Sequence, residues 1–211
     1  MLLSKYNLMY LHPPKTAGNT IQSILLPFSD DRKVLKGHRD GYDRFEIQGV
    51  ITSKKHMTLA EYAERLGSRI HDYRIAMSVR HPVERAVSMY FSPHRWFRKA
   101  ANGGFVLSEP VWDREQFDQM LSTMPCLSDF TTVDGIFYKP DFIVRQENLE
   151  EDFRFMSESA GLPQETRMTA LELRNKSAGH APFIRDLLRE RALKKQIRDH
   201  FAVDFENFDF R

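Results

Sequence analysis

Apolar positions recur along this chain in two rhythms. Short, largely apolar runs at Tyr6 to Leu11, Tyr73 to Val79 and Phe142 to Val144 predict buried strands. Between them the period lengthens. Ile21, Ile24 and Leu25 fall at i, i+3 and i+4 after Gly18, which predicts a helix. Leu59, Tyr62, Ala63 and Leu66 form another apolar face, behind the capping-box pattern Thr58-Leu59-Ala60-Glu61. Val83, Val87 and Tyr90 give a core side to a helix that Pro82 opens. Glu147 to Ala160 and Phe183 to His200 predict further helices, the last with Leu187, Leu188 and Ile197 turned to the sheet. The polar stretch Asp30 to Lys55 predicts irregular structure or short strands.

Strands alternating with helices imply an α/β fold around a central, mainly parallel sheet flanked by helices. No repeat and no Pro-, Gly- or Ser-rich linker divides the chain, so residues 1–211 are expected to form a single domain. Ligands of such sheets sit beyond the carboxyl ends of the strands. Two turns occupy that place here, His12 to Thr20 and Arg80 to Ser88.

Composition narrows the partners. Basic residues number 31 against 29 acidic, a net charge of +2, which argues against a nucleic-acid partner and leaves room for local basic pockets. The lone Cys126 excludes an internal disulfide and CxxC metal sites, and it fits a reducing compartment. No run approaches the roughly 20 apolar residues that span a bilayer. The first residues lack the basic region and cleavage site of a signal peptide, so no stable membrane insertion is expected.

The first turn reads His12-Pro13-Pro14-Lys15-Thr16-Ala17-Gly18-Asn19-Thr20 between a strand and a helix. Small residues at 17 and 18 let backbone N–H groups approach an anion, and the helix N-terminus adds partial positive charge. Lys15 supplies a full charge, and Thr16, Asn19 and Thr20 offer donors. The order is not that of a Walker A loop, because the lysine precedes the glycine. In the second turn, Arg80 at a strand end offers a planar fork suited to phosphate, and Ser88 adds a hydroxyl from the next helix. Arg85 reads as a surface charge or a support for those ligands.

Together the two motifs resemble the sulfotransferases that use 3′-phosphoadenosine 5′-phosphosulfate (PAPS), and most closely the carbohydrate branch that includes heparan sulfate 2-O-sulfotransferases. The resemblance implies a P-loop-like three-layer fold. It also implies that Lys15, Thr16, Ala17, Gly18, Asn19 and Thr20 bind the 5′-phosphosulfate, and that Arg80 with Ser88 holds the 3′-phosphate. Asn19 stands where the family more often has Thr or Ser, and His81 where it has Asp or Asn. Two further segments are similar: KKHMTLAEYAERLG, where the family carries its catalytic histidine, and LRNKSAGH, a loop that closes over the nucleotide. The latter implies contacts from Arg174, Lys176 and Ser177.

Sulfuryl transfer to an alcohol needs a base for the acceptor proton, and an imidazole near pKa 6.5 suits it. His56, two residues before the cap Thr58, is the first choice for that base and His38 the second. Lys15 then acts on the leaving group as well as on the bound donor. No metal is required. Trp96, Trp112 and the aromatics around them read either as an acceptor wall or as cover for the core. The expected partners are PAPS, with 3′,5′-bisphosphoadenosine (PAP) as product, and a hydroxyl acceptor of the sugar or glycolipid type. A chain that starts at its donor turn without an anchor points to a bacterial cytoplasmic enzyme. The alternatives are a P-loop-type nucleotide kinase and a non-catalytic nucleotide- or glycan-binding module.

Overall fold

Residues with no polar face need cover on both sides, and a parallel sheet between helices provides it. The computed structural model describes residues 1–37, 44–168 and 186–211. Its strands in chain order are β1 (Leu2–Leu3), β2 (Leu8–Leu11), β3 (Arg32–Lys36), β4 (Arg44–Gln48) and β5 (Arg74–Val79). After these come β6 (Phe97–Lys99), β7 (Phe105–Leu107), β8 (Thr132–Val133), β9 (Ile136–Phe137) and β10 (Phe142–Arg145). The first helices are α1 (Gly18–Leu25), α2 (Leu59–Leu66), α3 (Pro82–Tyr90) and α4 (Arg114–Ser122). They are followed by α5 (Leu149–Ser159), α6 (Gln164–Met168), α7 (Arg191–His200) and α8 (Ala202–Asn207). The chain gathers into two units, one of Met1–Val34, Glu46–Arg80 and Leu127–Arg174, the other of Leu35–Phe45, His81–Cys126 and Asn175–Arg211.

The first unit holds the main sheet, in the order β1-β2-β5-β10. Only β1 runs antiparallel; β2, β5 and β10 are parallel, which makes this an α/β fold with a mixed, mostly parallel sheet. All four residues of β2 are buried, as its apolar run requires, and each large side chain withdrawn from water contributes roughly 1.5–3 kcal/mol. The strand starts two residues later than the apolar run. Asn7 takes a left-handed conformation (φ 47°) that closes a 3-10 turn over Ser4–Tyr6, and its carbonyl accepts from Arg74 N at 2.8 Å. That contact starts the pairing that sets Leu11 opposite Met77. β2 and β5 therefore end side by side, and the turns after them leave the same edge of the sheet.

A polar knot fixes the segment that approaches this edge. The buried Asp31 carboxylate accepts from Leu2 N at 3.0 Å and from the Thr52 hydroxyl at 2.9 Å, and Thr52 also meets the Tyr62 hydroxyl at 3.0 Å. Gly49 is needed beside it, because a β-carbon there would sit 2.1 Å from Asp31 Oδ1. The chain then reaches α2, whose expected capping box is present. Thr58 Oγ1 accepts from Glu61 N at 3.3 Å, and the Glu61 carboxylate accepts from Thr58 N at 2.8 Å.

In the second unit α3, α4 and α7 share an apolar core that includes Ala86, Val87, Tyr90, Phe117, Leu193, Ile197 and Phe201. Two expectations fail there. Arg85 is fully buried: Nη1 donates to Pro125 O at 2.9 Å, and its guanidinium lies 5.6 Å from the centre of the Phe201 ring. A flat, weakly hydrated cation on an aromatic face tolerates such a site, which a surface reading of Arg85 overlooks. The helix expected over Phe183 to His200 is interrupted where it is described. Asp186 and Leu187 are helical, Leu188 and Arg189 form a turn with Glu190 N donating to Leu187 O, and α7 begins at Arg191. Leu187, Leu193 and Ile197 are buried on either side of this interruption.

Candidate functional site

The turn between β2 and α1 is built on strain and on a buried chain of hydroxyls. Lys15 (φ 71°) and Ala17 (φ 64°) both hold left-handed backbone, which costs of order 1–3 kcal/mol at each non-glycine residue. Thr16, between them, is fully buried, and its Oγ1 donates to Pro13 O at 2.7 Å. With that proton committed, Ser78 Oγ donates to Thr16 Oγ1 at 2.7 Å, and the Tyr10 hydroxyl donates to Ser78 at 2.8 Å. The donors run in one direction from β2 through β5 into the turn and hold its middle residue down. The hydroxyl expected as a ligand from Thr16 is thus spent inside the protein, and its backbone N–H is what it has to offer an anion. Asn19 is half-buried, and Thr20 is buried, donating its N–H to Ala17 O at 3.0 Å. No side chain caps the N-terminus of α1.

The glycine of the turn has a cause beyond the one expected. Gly18 is the first residue of α1, with no positive φ, so its backbone suits any residue. A β-carbon there would lie 1.9 Å from Cδ2 of His12 and 2.3 Å from its Nε2. The His12 ring excludes a side chain there.

Lys15 carries the electrostatics. Burial, followed by the positive charge of Arg80, brings its ammonium down to about 8. Both influences oppose the charge, and the negative charge of a bound anion offsets them. Arg80 follows the last residue of β5, and the pairing of β2 with β5 brings it to the lysine turn.

His56 belongs to the same unit. Its Nδ1 lies 2.7 Å from the His12 carbonyl oxygen, and its ring meets that of His12 edge-on at 4.6 Å between centroids. A carbonyl only accepts, so Nδ1 carries the hydrogen and the neutral ring presents a lone pair at Nε2. Burial is the main reason its pKa lies below the ordinary value. The bond to His12 and the charge of Glu46 pull the other way, while Lys55 and Lys54 add to the depression. The Glu46 carboxylate accepts from Lys55 N at 3.1 Å, which ties this segment to β4.

Ser88 sits half-buried on α3 in the second unit. At its start, His81 takes over the capping role of the more usual Asp or Asn: Nδ1 accepts from Val83 N at 3.3 Å while Nε2 donates to Arg211 O at 3.0 Å. Trp96 is buried and donates to Tyr90 O at 3.1 Å, and Trp112 packs edge-on against Tyr90, so these aromatics serve the core of that unit. His38, Arg174, Lys176 and Ser177 lie outside the described residues. No three or more His, Cys, Asp or Glu side chains cluster as a metal site among the described residues. No helix among them is long and apolar enough to cross a membrane.

Sequence reasoning treated His12 as the boundary of a turn and passed over Gln22 and Ser78. Only Gly18 hinted at His12, as a glycine with no turn to explain it. Nothing in the run YRIAMSV marks its serine as a support for Thr16.

A mixed, mostly parallel sheet packed against helices, with a lysine-bearing turn after its first parallel strand, is consistent with a P-loop-like α/β fold. The Sulfotransferase family model matches residues 1–211, and the chain belongs to that family. It is a PAPS-dependent sulfotransferase. No curated protein and no solved structure matches it.

Proposed function

We propose that the chain moves the sulfuryl group of PAPS to a hydroxyl of a carbohydrate or glycolipid acceptor by in-line transfer, with His56 as the base. The observation that carries this reading is the 2.7 Å contact between His56 Nδ1 and the His12 carbonyl, which leaves Nε2 as an acceptor on a ring kept neutral by burial. In the step, Nε2 of His56 takes the proton of the acceptor hydroxyl while that oxygen bonds to sulfur. The bond from sulfur to the 5′-phosphate oxygen breaks, and its electron pair stays on that oxygen. Lys15 neutralises the charge that builds there and also binds the donor beforehand.

Backbone N–H groups of Thr16 to Asn19, with the side chain of Thr20, cradle the phosphosulfate, and by the family resemblance Arg80 and Ser88 take the 3′-phosphate. By the likeness of the segment LRNKSAGH to the family, Arg174, Lys176 and Ser177 contact the nucleotide. The sugar-type acceptor rests on the likeness to the carbohydrate branch. Residues 1–211 act as one catalytic domain.

Two measurements test this. PAP is expected to raise the melting temperature more than ATP does, and a larger shift with ATP sinks the donor assignment. His56→Ala is expected to keep PAP affinity while sulfate transfer from labelled PAPS falls by about 10²–10⁴-fold, the usual worth of a positioned base. Undiminished transfer removes His56 from that role.

A further inference from the structure

His12 has no part in the roles assigned so far, yet it touches both halves of the site. It is 3% exposed, at the end of β2. Its Nδ1 lies 3.0 Å from Oε1 of Gln22, a fully buried residue of α1. An amide oxygen accepts, so Nδ1 holds the ring hydrogen and the orientation of the imidazole is set. The opposite edge of the ring, Cδ2 and Nε2, occupies the space a side chain at Gly18 would need. Its carbonyl accepts from His56, and its ring abuts that of His56.

We propose that His12 is a positioning residue that couples the donor-binding turn to the base: its ring seats Gly18 at the start of α1, while its carbonyl and ring hold His56 with Nε2 outward. This rests on the reading of the Lys15 turn as the donor site and of His56 as the base. A neutral imidazole suits the task, since a charged one would repel the base as it becomes protonated. Burial, then the charges of His56 and Lys55, keep its pKa well below the ordinary value. The Gln22 bond opposes them, and the amino group of Met1 adds to the depression.

The closing experiment is a double-mutant cycle on PAP affinity, measured by calorimetry with the full chain. Gly18→Ala is expected to weaken PAP at least tenfold, because the new methyl meets the ring. In a His12→Ala background the same change is expected to cost less than threefold, whereas in a His12→Phe background, which keeps the bulk, it costs as much as in the wild type. The second readout is ¹⁵N NMR of the imidazoles. His56 is expected to hold its hydrogen on Nδ1, with a pKa that rises in His12→Ala as water replaces the ring beside it.

Normal PAP binding by Gly18→Ala overturns the proposal, as does an equal cost in the wild-type and His12→Ala backgrounds, or a His56 hydrogen on Nε2. Should His12→Ala not fold, the His12→Phe and Gly18→Ala arms still decide. The two readings fail separately. An active His56→Ala removes the base but leaves the PAP cycle intact, whereas a cycle without coupling beside an inactive His56→Ala removes only the role of His12.

Discussion

Lys15 shows how a single residue turns burial into readiness. Its ammonium is brought down to about 8 by desolvation and by Arg80, so the free protein holds it charged at neutral pH but loses that charge readily above. A polyanion binds the charged form. PAP affinity is therefore expected to be flat below pH 8 and to weaken above it, toward about tenfold per pH unit. In Lys15→Arg, where the charge does not titrate, the profile from pH 7 to 9 is expected to stay flat whatever its absolute affinity. Calorimetry at three pH values checks both, and a flat wild-type profile contradicts the assigned shift. The lysine itself was legible in the sequence from its place after an apolar strand. Its altered acidity was not, because Arg80 lies far along the chain and meets it only through the pairing of β2 with β5.

At the scale of elements, α2 links local sequence to the site. The capping box was readable because all its atoms come from four consecutive residues, Thr58 to Glu61. It also anchors the segment that carries His56. Thr58→Ala is expected to cost about 1 kcal/mol and to lower Tm by roughly 2–4 °C in a chain of this size. Because the cap secures the base and not the donor turn, turnover should fall while PAP affinity stays within twofold. Thermal unfolding and calorimetry on one preparation decide, and a variant that loses PAP affinity speaks against this division of labour. The helix break before Arg191 and the burial of Arg85 were not readable in the same way. The arginine answers to partners elsewhere in the chain, Phe201 and Pro125, and no pattern of nearby residues marks the break.

At the scale of the whole molecule, burying two neutral imidazoles ties stability to pH. His12 and His56 both titrate below their ordinary value in the fold. Their contribution is complete above about pH 6.5 and is lost as the pH falls toward their folded values, because the unfolded chain takes up protons there and the folded one does not. Each histidine adds up to about 1.4 kcal/mol per pH unit within that window. Asp31, whose carboxyl is raised mainly by burial, works in the opposite sense above 3.8, so the comparison must isolate one histidine. Denaturant unfolding between pH 5.5 and 6.5 is expected to show a shallower dependence in His12→Phe than in the wild type. Parallel slopes would mean that His12 is not held neutral by the fold.

The sequence by itself determined what local periodicity and local chemistry can carry. It settled the alternation of buried strands and amphipathic helices, the capped start of α2, the lysine turn after β2, and the likeness to sulfotransferases that the match over residues 1–211 supports. Each of these depends on neighbours within a few positions. The tertiary structure alone decided why Gly18 is a glycine, what donates to the Thr16 hydroxyl, and which nitrogen of His56 carries the hydrogen. Those answers come from Ser78, Gln22 and the His12 carbonyl, brought close by parallel strand pairing and by the packing of α1. The lysine turn was thus visible from the outset as a place for an anion. Its rigidity, and its link to the proposed base, exist only where β2, β5 and α1 converge.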